Sequence, residues 1–199
     1  RDRSPSRGLG DVYKRQGVSD AAAVGVVEKV ISALFIVPSS MLATVSALSA
    51  QNLGAGKEKR ATDTLHYATV ITTIYGMIVA VLIQFIAENV VGIFTSDTTV
   101  VTMGSAYIRS YIWDCIFAGI HFSFSGYFAA CGKSYIGFLH NIISITFVRV
   151  PGSYLASKYF TDTLYPMGLA APAGSLVSVA ICVTAFILLK RKSRVAQTA

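Results

Sequence analysis

Three polar side chains on one apolar helix are the strongest candidates for chemistry in this sequence. Asp114, Ala118, His121 and Ser125 follow one another at intervals of four, three and four residues. Because such intervals return to the same side of an α-helix, the four residues form one stripe. An ionisable side chain costs roughly 2.5–3.5 kcal/mol to insert into hydrocarbon, so it usually faces a cavity or a partner. The stripe therefore indicates the wall of a water-lined pathway, in which a carboxylate and an imidazole could carry protons.

The same residues also fit a purely structural role. Asp114 could pair with Arg109 or Arg149, and His121 could bond to a backbone carbonyl, so that the stripe is a packing contact. Arg149 lies two residues before Pro151 in the segment VRVP. Proline leaves the backbone carbonyl about one turn earlier without its helical partner, and such breaks often line cavities in membrane proteins. We therefore include Arg149 among the candidate pathway residues.

Glu28 and Lys29 form a second pair of charges, near the start of the first apolar block. Adjacent residues point about 100° apart on a helix, so the two side chains do not face each other. Both are candidates for the substrate or ion pathway. The simpler alternative is that they extend to the membrane surface, as long charged side chains do near helix ends.

These residues belong to a membrane protein. The chain has 199 residues, of which 53% are hydrophobic and 14% are charged, whereas soluble domains are about a quarter charged. The apolar residues come in five blocks that are too long for transmembrane strands. The second block would be roughly 34 Å long as a helix, enough to cross about 30 Å of hydrocarbon. The sequence predicts an all-α, polytopic helix bundle with spans at about 20–50, 65–87, 100–131, 135–157 and 167–189, and Asp20 as the N-cap of the first.

Other classes of function are poorly supported. The net charge of +7 is spread over the N-terminal segment and the helix ends, without the basic, aromatic-rich face of a nucleic-acid-binding protein. Cys115, Cys131 and Cys182 lie apart in apolar blocks, which favours free thiols over a metal site or disulfides. No catalytic motif such as HExxH or GxSxG occurs. We predict no enzyme activity, no resident metal or cofactor and no nucleic-acid partner.

Two glycine-containing turns imitate phosphate-binding loops. GAGK at 54–57 lacks the preceding glycine frame, and GYFAACGKS at 126–134 has five residues between its glycines instead of four. The second also follows an apolar helix, whereas a phosphate-binding loop follows a strand. We interpret both as turns that end a helix with glycine and place lysine at the lipid headgroups. The residues assigned to this role are Gly54, Gly56, Lys57, Arg60, Gly132 and Lys133.

Basic residues give the orientation. One set of connections and the C-terminal tail hold eight lysines and arginines, and the alternate connections hold only Lys158. Basic loops stay preferentially in the cytoplasm. The sequence therefore predicts a cytoplasmic C-terminus and a cytoplasmic face formed by Lys57, Lys59, Arg60, Lys133, Lys190, Arg191, Lys192 and Arg194.

Residues 1–16 differ from the rest of the chain. They are rich in arginine and lack the apolar centre of a signal peptide. They resemble a translated cloning adapter or a disordered tail, although a native polar loop is an alternative. The native-looking sequence begins near Gly17, as if in mid-protein. We expect a fragment with one transmembrane unit over residues 17–194 and a cytoplasmic tail over 195–199.

Several segments together resemble one transporter family. QNLGAGKEKRA follows a proline-containing helix, FAACGKS ends a longer polar one, FVRVPGSYLAS lies in the next, and LYPMGLAAPAGS leads into the last. They resemble the C-terminal lobe of multidrug and toxic compound extrusion (MATE) transporters over about residues 17–192. The resemblance implies twelve helices in two six-helix lobes, with these five spans as helices eight to twelve. The partner it implies is the missing N-terminal lobe of the same protein.

The resemblance also implies a function. MATE proteins export cationic or amphiphilic compounds in exchange for Na⁺ or H⁺, and we expect this chain to lie in a bacterial plasma membrane. In one subgroup carboxylates on helices seven and ten hold the cation, and the helix-ten position falls here at Ala118. Asp114 lies one turn away, so its role as an ion ligand departs from the family pattern. In another subgroup the coupling Asp lies in helix one, which is also outside this sequence.

Two alternatives stay open. Within the same superfamily, a flippase for lipid-linked oligosaccharides would hold pyrophosphate with cationic residues such as Arg109 and Arg149. A membrane scaffold without transport activity would place its polar residues along helix interfaces, with no continuous cavity.

Overall fold

The computed structural model describes the backbone of residues 5–198 and the side chains of residues 17–191, and all regular secondary structure in this part of the chain is helical. The predictions made for residues 1–16 and for the tail from Lys192 onward concern residues whose side chains are outside the described part of the structure. The helices are α1 Pro5–Leu34, α2 Ile36–Gly54, α3 Glu58–Gly92, α4 Thr98–Tyr111, α5 Asp114–Ala130, α6 Ser134–Ser144, a π-helical turn Ile145–Arg149, α7 Val150–Tyr159, α8 Tyr165–Gly168 and α9 Ala170–Thr198.

The all-α membrane class predicted from the sequence is confirmed. Two helical segments, Glu58–Gly92 and Tyr165–Arg191, are long and apolar enough to cross a membrane. A third membrane span is present if two further segments form one span across a bend of 41°, namely Gly17–Leu34 and Ile36–Gly54. Where the sequence predicted the third and fourth spans, the structure has interrupted helices, α4–α5 and α6–α7, whose separate pieces are each shorter. Asp20 is not an N-cap, because α1 begins earlier, at Pro5.

Proline explains the bend between α1 and α2. Pro38 has no N–H, so the carbonyl of Leu34 one turn earlier has no helical donor. The hydroxyl of Tyr75 on α3 donates a hydrogen bond to this carbonyl at 2.9 Å. A side chain on the neighbouring helix thus satisfies the polar group that the bend exposes, as a membrane interior requires.

The helix α3 shows which side of the bundle meets lipid. Its inner side contributes Leu65, Ala68, Thr72 and Gly76 to the buried part of the bundle. Its outer side exposes large apolar side chains at intervals of three and four residues, as expected of a helix that contacts acyl chains. These side chains are Val70, Ile71, Ile74, Met77, Ile78, Val81, Leu82 and Phe85.

Two separate apolar clusters form the core. One contains Val27, Ile83 and Ile108, from α1, the second half of α3, and α4. The other contains Leu65 and Phe128, together with partners from α2 and α9. Along α5 the buried residues of the first cluster end at Cys115 and those of the second begin at Phe124. His121 therefore lies between the two clusters, and the ends of the stripe, Asp114 and Ser125, lie beside them.

Candidate functional site

A buried ion pair joins two of the interrupted helices. Asp114 is the first residue of α5 and is 1% exposed, and Arg149 is the last residue of the π-helical turn. The Nη2 atom of Arg149 donates to Oδ2 of Asp114 at 3.1 Å and to Oδ1 at 3.4 Å. The N-terminus of a helix carries a partial positive charge, which also favours a carboxylate there. The structure thus selects Arg149 from the two partners that the sequence allowed.

Arg149 reaches Asp114 because the facing helix α9 leaves space for it. A Cβ on Gly174 would lie 2.5 Å from Cγ of Arg149 and 2.8 Å from Oγ of Ser144. The next residue, Ser175, accepts a hydrogen bond from Nη2 of Arg149 at 2.6 Å. α9 therefore both admits the guanidinium and helps to orient it.

The polar contacts continue from this pair to two histidines. Oγ of Ser175 lies 3.4 Å from Nε2 of His121, and the rings of His121 and His140 meet edge to face at 5.4 Å. Nε2 of His140 lies 2.8 Å from Oγ of Ser125. His121 thus bonds to a hydroxyl, not to the backbone carbonyl that the packing interpretation allowed. The predicted stripe is one side of a network that also includes α6, α9 and the π-helical turn.

A cavity of about 240 Å³ opens beside the histidines. Leu42 of α2 closes part of its apolar side, and its polar lining consists of His121, Ser125, Ser134, His140 and Asn141. Asp114 is not among the lining residues. The cavity therefore reaches the histidine end of the network but not the ion pair.

Several buried polar atoms of the network have no hydrogen-bond partner among the described residues. They are Nδ1 of His121, Nδ1 of His140, Oγ of Ser144 and Nε of Arg149. Buried polar atoms in proteins are nearly always paired. This concentration of unpaired atoms marks the network as the place where an additional polar group could be bound.

The remaining candidate charges lie elsewhere. Arg109 pairs with Glu88 at 3.3 Å, not with Asp114. Glu28 and Lys29 are both exposed on α1, and Oε1 of Glu28 accepts a hydrogen bond from the Tyr107 hydroxyl at 3.4 Å. The structure therefore brings Asp114, His121, Ser125 and Arg149 together, whereas Glu28 and Lys29 do not take part in the hydrogen bonds of this network.

The two glycine turns lie at one end of the bundle. Gly56 and Gly132 have φ values of +72° and +70°, in the left-handed region that favours glycine. A cavity of about 150 Å³ is lined by residues next to both turns and by the end of α9, including Glu58, Cys131, Lys133 and Lys190. Nζ of Lys190 also donates to Oγ1 of Thr62 on α3 at 2.8 Å. The basic segments predicted to share one membrane face therefore converge.

Sequence reasoning missed several members of the network. Ser175 and Gly174 belong to α9 and His140 belongs to α6, and none of the three was assigned to the pathway from the sequence. Tyr107, beside Glu28, was also missed. Each is a polar or small residue in an apolar block, which is a weak signal without knowledge of neighbouring helices. Among the residues described, no three side chains of His, Cys, Asp and Glu come together in a way that could hold a metal ion.

The interrupted helices, the lipid-facing side of α3 and the buried polar centre define a polytopic α-helical membrane protein. The MatE family model matches residues 12–155 of the chain, including the last five residues of the segment 1–16. The chain therefore belongs to the MATE family, as the sequence segments indicated.

Two similar proteins and one solved structure support the same family. The chain is 28% identical over 163 residues to Protein DETOXIFICATION 14 of Arabidopsis thaliana, covering 81% of this chain and 33% of that protein. It is 23% identical over 175 residues to human Multidrug and toxin extrusion protein 1, covering 86% of this chain and 30% of that one. A crystal structure of the eukaryotic MATE transporter AtDTX14 superposes with a TM-score of 0.76 at 27% identity, over 85% of this chain and 38% of that chain. The chain thus spans about a third of the length of these relatives.

Proposed function

We propose that this chain is part of a secondary active antiporter that exports cationic or amphiphilic compounds in exchange for H⁺ or Na⁺. The observation that carries the proposal is membership of the MATE family, supported by relatives whose names describe toxin extrusion and detoxification. The buried polar centre adds a physical argument, because charges in a membrane interior usually serve transport. The proposed partners are the bilayer, a small cationic substrate and a second lobe.

The proposed location is the plasma membrane of a bacterium, with the basic end of the bundle and the C-terminus in the cytoplasm. The convergence of Lys133 and Lys190 beside the first turn supports this orientation, because basic residues favour the cytoplasmic face. We retain the prediction that the protein is not an enzyme, since its family consists of transporters.

The flippase alternative receives less support from the structure. That alternative predicts several cationic residues lining the cavity, where they would hold the pyrophosphate group. The two described arginines that were candidates are both paired, Arg109 with Glu88 and Arg149 with Asp114. The scaffold alternative predicts no continuous cavity, and the cavity beside His121 and His140 does not extend to Asp114, so the transport assay below decides between a scaffold and a transporter.

Replacement of Asp114 tests the proposal. In everted vesicles containing the complete transporter, Asp114→Asn should reduce proton- or sodium-driven uptake of a fluorescent organic cation by about tenfold or more, because it removes the most buried carboxylate of the polar centre. Asp63→Asn is the matched control, since Asp63 lies near the basic end, apart from the network. Efflux by Asp114→Asn equal to that of the control would remove Asp114 from the mechanism. Absence of any cation uptake by the unmodified transporter would contradict the proposed function.

A further inference from the structure

Two cavities meet at the basic end of the bundle, between the first turns of α3 and the last described side chains of α9. The smaller has a volume of about 150 Å³ and the larger about 450 Å³. Phe186 and Lys190 line both of them. The rest of the larger cavity is lined by Thr62, Ile187 and Arg191. Lys190 therefore lies where the two cavities adjoin.

The ammonium group of Lys190 is held in place by two neighbours. Its Nζ atom donates to Oγ1 of Thr62 on α3 at 2.8 Å. The same atom lies 5.9 Å from the centre of the Phe186 ring, within reach of a cation–π interaction. An ammonium group has three donor hydrogens, and Thr62 accepts one of them. These contacts fix the position of the charge and leave donors for an anionic acceptor.

The two cavities have an excess of positive charge. The charged side chains in their lining are Glu58, Lys133, Lys190 and Arg191. Three positive charges against one negative charge give a net formal charge of +2. Within residues 17–191 none of the four forms an ion pair within 4.0 Å, and although other exposed charges also lack one, these are gathered around a concave space. By contrast, a cavity of about 400 Å³ at Arg60 also contains the carboxylate of Asp63 and is formally neutral.

The cavities also lie where two membrane helices pass from polar to apolar sequence. The segments Glu58–Gly92 and Tyr165–Arg191, which are long and apolar enough to cross a membrane, begin and end here. On α9 the exposed side chains of Ile187 and Leu188 come just before Lys190. The headgroups of a bilayer flank its hydrocarbon core, and the acyl chains lie along the apolar part of each span. The site therefore combines cations at the depth of the headgroups with apolar surface beside them.

We propose that the larger cavity binds the phosphate group of an anionic phospholipid, with Lys190 and Arg191 as its contacts and Ile187 beside an acyl chain. Basic pockets between membrane helices bind anionic headgroups in this way. Lys133 adds attraction from the smaller cavity, whereas the carboxylate of Glu58 repels the phosphate. The bound lipid joins α3 to α9, because its headgroup lies between them. This interaction goes beyond the proposed antiport and does not depend on it.

Binding of a defined lipid to the complete transporter tests the site. The probe is phosphatidylglycerol, added to the purified protein in a neutral detergent, and native mass spectrometry measures the bound lipid. Lys190→Gln should raise the Kd by about fivefold and the double variant with Arg191→Gln by more than tenfold, because basic residues that attract the anionic lipid are lost. Lys190→Arg keeps the charge and should retain most of the affinity. Lys158→Gln is the matched control, because Lys158 lies in the last turn of α7, at the opposite end of the bundle, and its Kd should stay near that of the unmodified protein.

A second variant should change the affinity in the opposite direction. Glu58→Gln should lower the Kd by several-fold, because it removes the carboxylate that repels the phosphate. Damage to the fold would weaken lipid binding, so tighter binding by this variant cannot result from misfolding.

Three results would overturn the site. The first is an equal Kd for Lys190→Gln and Lys158→Gln. The second is equal affinity of the unmodified protein for phosphatidylcholine, which has no net charge. The third is displacement of phosphatidylglycerol by an equal concentration of inorganic phosphate, which would make free phosphate the occupant. None of these measurements involves transport, so their failure leaves the proposed function unaffected, and failure of the transport assay leaves this site unaffected.

Discussion

At the scale of single residues, the Asp114–Arg149 pair dominates the energetics of the polar centre. Taking a charge out of water is expensive, and the partner charge compensates only while both are present. Asp114 is 1% exposed, whereas the Arg149 side chain is 29% exposed. Loss of Arg149 would therefore leave the more deeply buried charge without its partner.

A double-mutant cycle measures this dependence. Arg149→Met should lower the stability of the purified protein by about 3 kcal/mol, because an uncompensated carboxylate stays buried. Asp114→Asn alone should cost less, and the double variant should recover most of the loss caused by Arg149→Met. Thermal unfolding in detergent provides the measurement. Strictly additive losses would show that the two side chains are not coupled.

Much of the candidate site could be predicted from single residues, but their partners could not. The intervals between Asp114, His121 and Ser125 placed them on one side of a helix, and the structure agrees. The choice between Arg109 and Arg149 as the partner of Asp114 depends on which helices are neighbours. One sequence contains helical periodicity within each block but not the rotation of one helix against another. Ser175, which lies 61 residues after Asp114, could not be found for this reason.

At the scale of elements, breaks in the helices determine where the polar groups lie. Proline accounts for two of these breaks, one near Pro38 and one near Pro151, and the latter was expected from the sequence. The break between α4 and α5 has no proline. Backbone hydrogen bonds there join residues three apart instead of four, such as the bond from the N–H of Cys115 to the carbonyl of Ile112. Such a break leaves little trace in composition, so the third span was predicted as continuous.

The contact between α9 and the π-helical turn depends on the absence of a side chain at Gly174. Gly174→Ala should displace Arg149 and cost about 1–3 kcal/mol, as overpacking of a tight interior does. Gly25→Ala is the control, because a Cβ at Gly25 meets no atom within 4 Å. Alanine at that helical position should be neutral or stabilising by up to about 1 kcal/mol. Equal melting temperatures for the two variants would contradict this account.

At the scale of the whole molecule, the gathered basic residues define one end of the bundle. The turn at Gly56, the turn at Gly132 and the end of α9 meet there. The connections 93–97 and 160–164 join the helices at their opposite ends. The lysine and arginine counts predicted that these three segments share one face of the membrane, and in the structure they lie at one end of the bundle. The sequence could not show how closely they approach one another.

Cysteine labelling can determine which end faces the cytoplasm. In a variant without Cys115, Cys131 and Cys182, Lys57→Cys should react with a membrane-impermeant maleimide in inside-out vesicles only, because basic loops stay in the cytoplasm. Asp162→Cys should react in right-side-out vesicles only. The reverse pattern would place the basic end outside the cell. Labelling of both variants from the same side would contradict the five-span arrangement.

The position of the ion pair along the chain also has a consequence for biosynthesis. Asp114 and Arg149 are 35 residues apart in sequence. At ordinary rates of translation, Arg149 leaves the ribosome about 2–7 s after Asp114. Since a lone carboxylate is costly in hydrocarbon, we expect the third span to remain at the insertion machinery until the fourth has been made, and both to enter the lipid as a hairpin. Crosslinking of stalled nascent chains should find the third span at the translocon before Arg149 emerges, and Asp114→Leu should release it earlier.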